Sequence, residues 1–281
     1  MTRDSNQMPS FSGHRPSKRF GQNFLTDHRI INRIIEYLGP NAGETIIEIG
    51  PGRGALTAAL LEREARVIAI ELDNNLVPLL RQRFENIPNF RLVHADALEV
   101  DFCNLALPSE KTRIVANLPY NISTAILQRL ISQRNCLDEM VLMLQREVVE
   151  RIQAQVGSSD RGYLSVLIEA YCDTEKLFDV APGAFQPRPK VWSSVIRLKF
   201  RPQFPISVKS EELFWSIVSA GFMQKRKTIL NNLRNATPSL QEVLKKNGGA
   251  SIVLCKAEVD LQRRAESLSL EEWGRITRSM E

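Results

Sequence analysis

The sequence predicts a doubly wound α/β sheet followed by a small all-helical domain, and three observations carry that prediction. Strand-like and helix-like apolar patterns alternate from Ile30 to Gln155, a glycine-rich turn closes the first strong strand, and no strand pattern recurs after Glu211. Strands separated by helices in this way pair in parallel and need helices on both faces of the sheet.

Taken in order, Ile30, Ile31, Ile34, Ile35 and Leu38 recur at helical spacing, and Gly39-Pro40 ends that helix. Thr45 to Ile49 reads as a buried strand, Gly54 to Glu64 as a helix, Val67 to Ile70 as a strand and Asn74 to Phe84 as a helix. Further strands are predicted at Phe90 to His94, Arg113 to Ala116 and Met140 to Leu144, with helices at Ser123 to Ser132 and Arg146 to Gln155. Two later β-rich runs, Lys176 to Val180 and Val191 to Phe200, add strands at the edge of the sheet. The break Arg201-Pro202-Gln203-Phe204-Pro205 then marks a boundary. These signals predict a flexible basic tail over residues 1–18, a sheet domain over 19–204 and a helical domain over 205–281.

Composition narrows the class of function. With 43% hydrophobic residues in 281, the chain can bury a real core. Its apolar runs are far shorter than the roughly 20 residues needed to span a bilayer, and the first residues lack an export signal, so a soluble cytoplasmic monomer is expected. Cys103, Cys136, Cys172 and Cys255 form no C-x-x-C pair, and His14, His28 and His94 show no ligand spacing. Reduced thiols and no metal site are therefore expected. The net charge is +5, yet the stretch from Arg197 to Arg234 alone holds eight basic residues against Glu211 and Glu212, a local +6. A solvated face or a polyanionic partner explains such a run.

The turn Gly50-Pro51-Gly52-Arg53-Gly54 falls at the carboxyl end of the first strand of the sheet, where open α/β sheets bind ligands, and its glycines let backbone approach a ligand closely. Glu71 ends the second strand 21 residues after Gly50, where a carboxylate accepts ribose hydroxyls. Asp96 follows the third strand and is placed to accept from an adenine amino group. Dehydrogenases share the glycine turn and the carboxylate, so these do not decide between hydride and methyl transfer. Asn117-Leu118-Pro119-Tyr120 follows the fourth strand and opens on the same edge. An adenine amino group is a poor nucleophile because its lone pair is delocalised. If the Asn117 side-chain oxygen and the Leu118 carbonyl each accept one amino hydrogen, the lone pair is released toward an electrophile. Pro119 stiffens the turn, and Tyr120 can stack on the base.

With those residues in place, the sequence resembles the KsgA family of small-subunit ribosomal RNA adenine dimethyltransferases from Arg19 onward. The resemblance rests on Arg19-Phe20-Gly21-Gln22-Asn23-Phe24-Leu25, Glu48 to Gly54, Glu71-x-Asp73, Asp96, Asn117-Leu118-Pro119-Tyr120-Asn121-Ile122-Ser123 and Leu144-Gln145-Arg146-Glu147-Val148. It extends to Phe185-x-Pro187-x-Pro189-Lys190-Val191-x-Ser193 and to the basic stretch from Gln224 to Leu233. It implies a Rossmann-like class I methyltransferase sheet that uses S-adenosylmethionine, held by Asn23, Leu25, Gly50, Glu71, Asp96 and Asn117, with Gly52 in the same turn. It implies catalysis by Asn117, Leu118, Pro119 and Tyr120, and Phe185 as a second aromatic wall for the target base. The implied substrate is a pair of adjacent adenosines in a hairpin near the 3′ end of small-subunit rRNA, on a partly assembled subunit. A basic helix carrying Lys225, Arg226, Lys227 and Arg234 is expected to dock that RNA. Two other readings stay open: a large-subunit rRNA adenine methyltransferase of the macrolide-resistance type, and a non-catalytic RNA-binding module. Arg161-Gly162-Tyr163 departs from the family's usual Tyr-Gly-Arg, which leaves the role of that loop open.

Overall fold

The structure, a computed structural model, describes residues 22–105, 112–119 and 122–281. The basic tail at 1–18 and Tyr120 lie outside the described residues. Two compact units divide the described chain, one of residues up to 146 together with 175–200, the other of 147–174 together with 201–281. The sequence suggests a single boundary near residue 204; the structure divides the chain at three places instead.

In the first unit the strands are β1 (Phe24–Leu25), β2 (Thr45–Ile49), β3 (Arg66–Glu71), β4 (Phe90–His94), β5 (Thr112–Asn117), β6 (Leu137–Gln145), β7 (Cys172–Val180, which begins in the second unit), β8 (Phe185–Gln186) and β9 (Ser193–Phe200). The main sheet runs β4-β3-β2-β5-β6-β9-β7. β4, β3, β2, β5 and β6 are mutually parallel, and β9 pairs antiparallel with β6. The chain therefore winds one way from β2 through β3 to β4 and the other way from β5 to β6. The switch point lies between β2 and β5, where ligands bind in such sheets.

Helices α1 (His28–Leu38), α2 (Ala55–Glu62), α3 (Leu76–Phe84) and α4 (Ser123–Ser132) belong to this unit. In α1 the periodic Ile31, Ile34, Ile35 and Leu38 are buried, Asp27 caps the start by accepting from Arg29 N, and Gly39 at φ 55° closes the end in the left-handed region. The central strands β2 and β3 are buried almost throughout, as expected for a sheet covered on both faces.

The second unit is helical: α5 (Arg146–Ile152, whose first residue closes the first unit), α6 (Tyr163–Tyr171), α7 (Glu211–Gly221), α8 (Ile229–Arg234), α9 (Pro238–Lys246), α10 (Ala250–Lys256) and α11 (Leu270–Arg278). Trp273 on α11 is fully buried, and a Cβ at Gly221 would collide with its ring, so α7 and α11 approach closely only because that position is glycine. Trp215 Nε1 donates to Tyr171 Oη at 2.7 Å, and Tyr171 Oη donates to Glu211 at 2.7 Å. That chain of bonds ties α6 to α7, and it explains why 147–174 folds with residues beyond 200. The unusual Arg161 is buried here: it donates to Ala154 O at 3.1 Å and pairs with Glu169. Its role is to hold the loop that opens α6.

One sequence expectation is overturned. Cys103 and Cys136 are joined in a disulfide, with Cα atoms 5.3 Å apart. They are 33 residues apart in sequence, but the turn after β4 and the turn after α4 meet at the amino-terminal edge of the sheet. The Gln133 side chain stitches them, accepting from Phe102 N at 2.6 Å and donating to Val100 O at 3.1 Å. Cys172 is a buried thiol, pushed up to about 12 by burial. Cys255 is an exposed one.

Candidate active site

At the carboxyl ends of β2, β3, β4 and β5 one cavity is lined by Asn23, Leu25, Gly50, Gly52, Glu71, Asp96 and Asn117. Leu118 and Pro119 line it too. These residues come from five separate stretches of sequence, and parallel winding brings the strand ends among them to one edge.

The glycine turn is built from left-handed backbone: Gly50, Gly52 and Gly54 have φ of 66°, 57° and 75°. A Cβ at Gly52 would stand 2.9 Å from the Phe24 ring, and one at Gly54 would stand 2.5 Å from the Phe84 ring. At Gly50 a Cβ would meet no protein atom within 4 Å. Gly52 and Gly54 thus serve packing, whereas Gly50 leaves open space on the cavity side, a cradle suited to a ligand. Arg53 lies over Phe24, its guanidinium 4.7 Å from the ring centroid.

Glu71 is 7% exposed and held rigidly. Its Oε1 accepts from Leu72 N at 2.9 Å and Asp73 N at 2.8 Å, and its Oε2 accepts from Gly52 N at 3.3 Å. Burial raises its carboxyl above the usual range, opposed by these three backbone N–H groups. Asp73 in turn is fixed by Gln22, whose Nε2 donates at 2.7 Å. Asp96 accepts from Leu98 N at 2.9 Å through Oδ1, and Leu98 lines the cavity. At the β5 edge, Asn117 Nδ2 donates to Asn23 O at 3.0 Å. This bond uses the donor end of the amide and leaves the acceptor, Oδ1, as its remaining polar atom. Leu118 N donates to Met143 O at 3.1 Å, which anchors the turn to β6.

Sequence reasoning missed several participants. Glu48 lines the cavity at 1% exposure, accepting from Thr57 Oγ1 at 2.5 Å, and burial pushes its carboxyl up to about 7. Phe24 and Gln22 also line the cavity; both stand in the Arg19 to Leu25 stretch that carries the family resemblance, which singles out only Asn23 and Leu25 as donor contacts. Phe185 is not among the lining residues. It is buried in the core on β8, opposite Leu25 in the two-stranded pairing of β1 with β8.

The basic residues differ from expectation in one respect. Lys225, Arg226 and Lys227 stand in a turn, not in a helix. α8 begins only at Ile229, because Thr228 caps it by accepting from Asn231 N at 3.3 Å. Asn232 Nδ2 donates to Gly221 O and, at 3.2 Å, to Gln224 O, which pins the start of the turn. All four expected docking residues, Lys225, Arg226, Lys227 and Arg234, are exposed. Two of the eight basic residues counted are spent elsewhere: Arg197 pairs with Glu175 at 2.6 Å, and Arg201 pairs with Asp173 at 2.9 Å. Among the described residues no cluster of histidine, cysteine and carboxylate groups could hold a metal ion, and no helix is long and apolar enough to cross a membrane.

A doubly wound sheet with a glycine turn, a ribose-type carboxylate and an Asn-Leu-Pro turn around one cavity defines a Rossmann-like methyltransferase. The family model described as ribosomal RNA adenine dimethylase matches residues 13–275, and the chain belongs to that family. It is 42% identical over 266 residues to the ribosomal RNA small subunit methyltransferase A of Hahella chejuensis, covering 94% of this chain and 92% of the relative. It is 43% identical over 269 residues to the protein of the same name from Saccharophagus degradans, covering 95% and 96%. Among solved structures, a dimethyladenosine transferase from Plasmodium falciparum shares the fold at a TM-score of 0.74, with 24% identity over 90% of this chain and 95% of that one. The 23S rRNA methyltransferase ErmE gives 0.65, with 26% identity over 92% and 99%. Family membership makes the chain a methyltransferase with an S-adenosylmethionine-type donor, and the open cradle at Gly50 beside a pre-oriented Glu71 fits such a nucleoside.

Proposed function

We propose that this enzyme transfers methyl groups from S-adenosylmethionine to the N6 atoms of two adjacent adenosines in a hairpin near the 3′ end of small-subunit rRNA, on the partly assembled subunit. The observation that carries this reading is the Asn117 amide, committed through Nδ2 to Asn23 O and so presenting an acceptor to the cavity edge. The donor supplies an electrophilic methyl group when bound. Glu71 holds its ribose through the free lone pairs of a carboxylate whose orientation backbone N–H groups already fix. Asp96 accepts from its adenine amino group, between the apolar side chains of Leu72 and Leu98.

On the target base, Asn117 Oδ1 and the Leu118 carbonyl each accept one amino hydrogen, which draws the nitrogen toward tetrahedral geometry and directs its lone pair outward. The same acceptors stabilise the positive charge that grows on nitrogen during transfer. That charge makes the nitrogen strongly acidic, so its proton passes to solvent water and no strong base is needed. This reading assigns the stacking on the base to Tyr120, which follows Pro119 in sequence. Phe185, buried opposite Leu25, positions the β1 strand in this reading, because its ring lies outside the cavity lining. The units divide the work: residues 19–146 with 175–200 bind the donor, and the helical unit docks RNA through Lys225, Arg226, Lys227 and Arg234.

Mass mapping of methylated adenosines tests this. Small subunits lacking the modification, incubated with protein and donor, are expected to gain four methyl groups on two neighbouring adenosines. Methylation confined to large-subunit rRNA would overturn the assignment in favour of the macrolide-resistance type, and no transfer to any rRNA would favour a binding module.

A further inference from the structure

Trp192 is 48% exposed, and its neighbour Val191 is 38% exposed. The other two tryptophans are packed: Trp273 is fully buried, and Trp215 sits among Tyr163, Tyr171, Phe204 and Phe214. A tryptophan left open to solvent in a chain that packs its other two calls for an explanation.

Its place in the fold supplies one. Trp192 directly precedes β9, which runs antiparallel to β6, so it stands on the carboxyl edge of the parallel strands, the edge that holds the cavity. Its carbonyl accepts from Arg146 N at 3.0 Å, which fixes the backbone there. Asn117, Met143 and Val195 share one row across β5, β6 and β9. Two strand spacings across and three residues along the strand put Trp192 roughly 14 Å from Asn117. On the other side, the loop that carries it leaves β8, whose Gln186 pairs with Phe24 of the cavity lining. Arg188 and Lys190 in that loop are exposed, and neither has an ion-pair partner among the described residues. An open aromatic face beside two free cations is the composition that binds single-stranded nucleic acid, bases by stacking and phosphates by charge.

The geometry points to Trp192 as a stacking shelf for a nucleotide of the substrate RNA next to the target adenosine, with Arg188 and Lys190 on the adjoining phosphates. This deepens the proposed function and rests on it. The shelf holds the strand while the target base enters the cavity, so it governs RNA affinity and the choice of neighbouring sequence, not methyl transfer itself.

Intrinsic fluorescence tests the stacking without turnover. The probe is a short RNA hairpin whose loop carries two adjacent adenosines, titrated into the full chain. Stacking on Trp192 is expected to quench emission, and the quench should vanish in Trp192→Phe, which keeps an aromatic face but removes the reporter. In methylation assays Trp192→Ala should raise KM for RNA roughly five- to a hundredfold, with kcat within twofold and donor affinity unchanged. Trp192→Phe should restore most of the KM. Quenching that persists in Trp192→Phe, or an unaltered KM in Trp192→Ala, overturns the shelf even where methylation of small-subunit rRNA stands. A Trp192→Ala defect seen only on assembled subunits and never on naked RNA also overturns it, because the ring would then face a protein. Conversely, if methylation maps to a different RNA while the quench depends on Trp192, the shelf stands and the substrate assignment fails.

Discussion

The cavity of the sheet unit and the basic turn of the helical unit treat their polar groups in opposite ways. In the cavity, Glu71 accepts three backbone hydrogen bonds, Asp96 accepts one, and the Asn117 amide is oriented by Asn23. In the turn, Lys225, Arg226 and Lys227 stand exposed with no ion-pair partner among the described residues. Methyl transfer needs acceptors fixed before the substrate arrives, since reorganising them would add to the barrier. Docking a phosphate backbone needs only charge within reach, and mobility of long side chains costs it little.

The sharpest way to break this contrast is Asn117→Ala. If the amide matters mainly in the transition state, the single-turnover rate should fall roughly 100- to 1000-fold, with RNA affinity changed far less. A rate within about twofold of the parent would remove Asn117 as a preorganised acceptor and blunt the difference between the regions. A smaller effect is expected of Glu71→Ala, which should weaken donor binding by roughly 1.5–3 kcal/mol through loss of a charge-assisted contact, while RNA binding persists. Calorimetry checks both. The sign of the pH effect follows from the raised carboxyl: ribose hydroxyls donate best to the carboxylate, so donor affinity should decline as pH falls through that raised value. Glu71→Ala should lose that component, while Glu48, in the same cavity, continues to titrate in both proteins.

The same contrast separates what the sequence makes legible from what it hides. Strands β2 to β6 are readable as short apolar runs set between helix-period segments, and winding rules then carry Gly50, Glu71, Asp96 and Asn117 to a single edge. The pairing of β1 with β8 is hidden because each strand is two residues long, too short for any period. Yet that pairing sets Asn23 against Asn117 and takes Phe185 into the core. The bond between Cys103 and Cys136 is equally hidden, since proximity across two βα units leaves no trace in spacing. α6 escapes notice because its apolar residues run nearly unbroken from Tyr163 to Tyr171, a pattern with no amphipathic stripe to detect. In the basic stretch, charge is read correctly from composition, but the helix is not: Thr228, a capping residue, moves the helix start past Lys227.

The smallest expected effect tests the exposed side of the comparison. Lys225, Arg226 and Lys227 changed together to Ala remove up to three phosphate contacts, and each contact releases close to one counterion. The slope of log affinity against log salt should become shallower by roughly 2–3 units. Because the triplet lies in a turn ahead of the Thr228 cap, and the Asn232 bonds to Gly221 and Gln224 use backbone carbonyls, the substitutions leave the anchoring of the turn intact. Thermal stability and donor affinity should therefore hold while RNA affinity drops, most at low salt. Weaker RNA binding with an unchanged slope would mean that the turn acts through the packing of α7 and α8, not through phosphates. The helical unit would then resemble the cavity in depending on fixed geometry, and the division of labour between the two units would have to be abandoned.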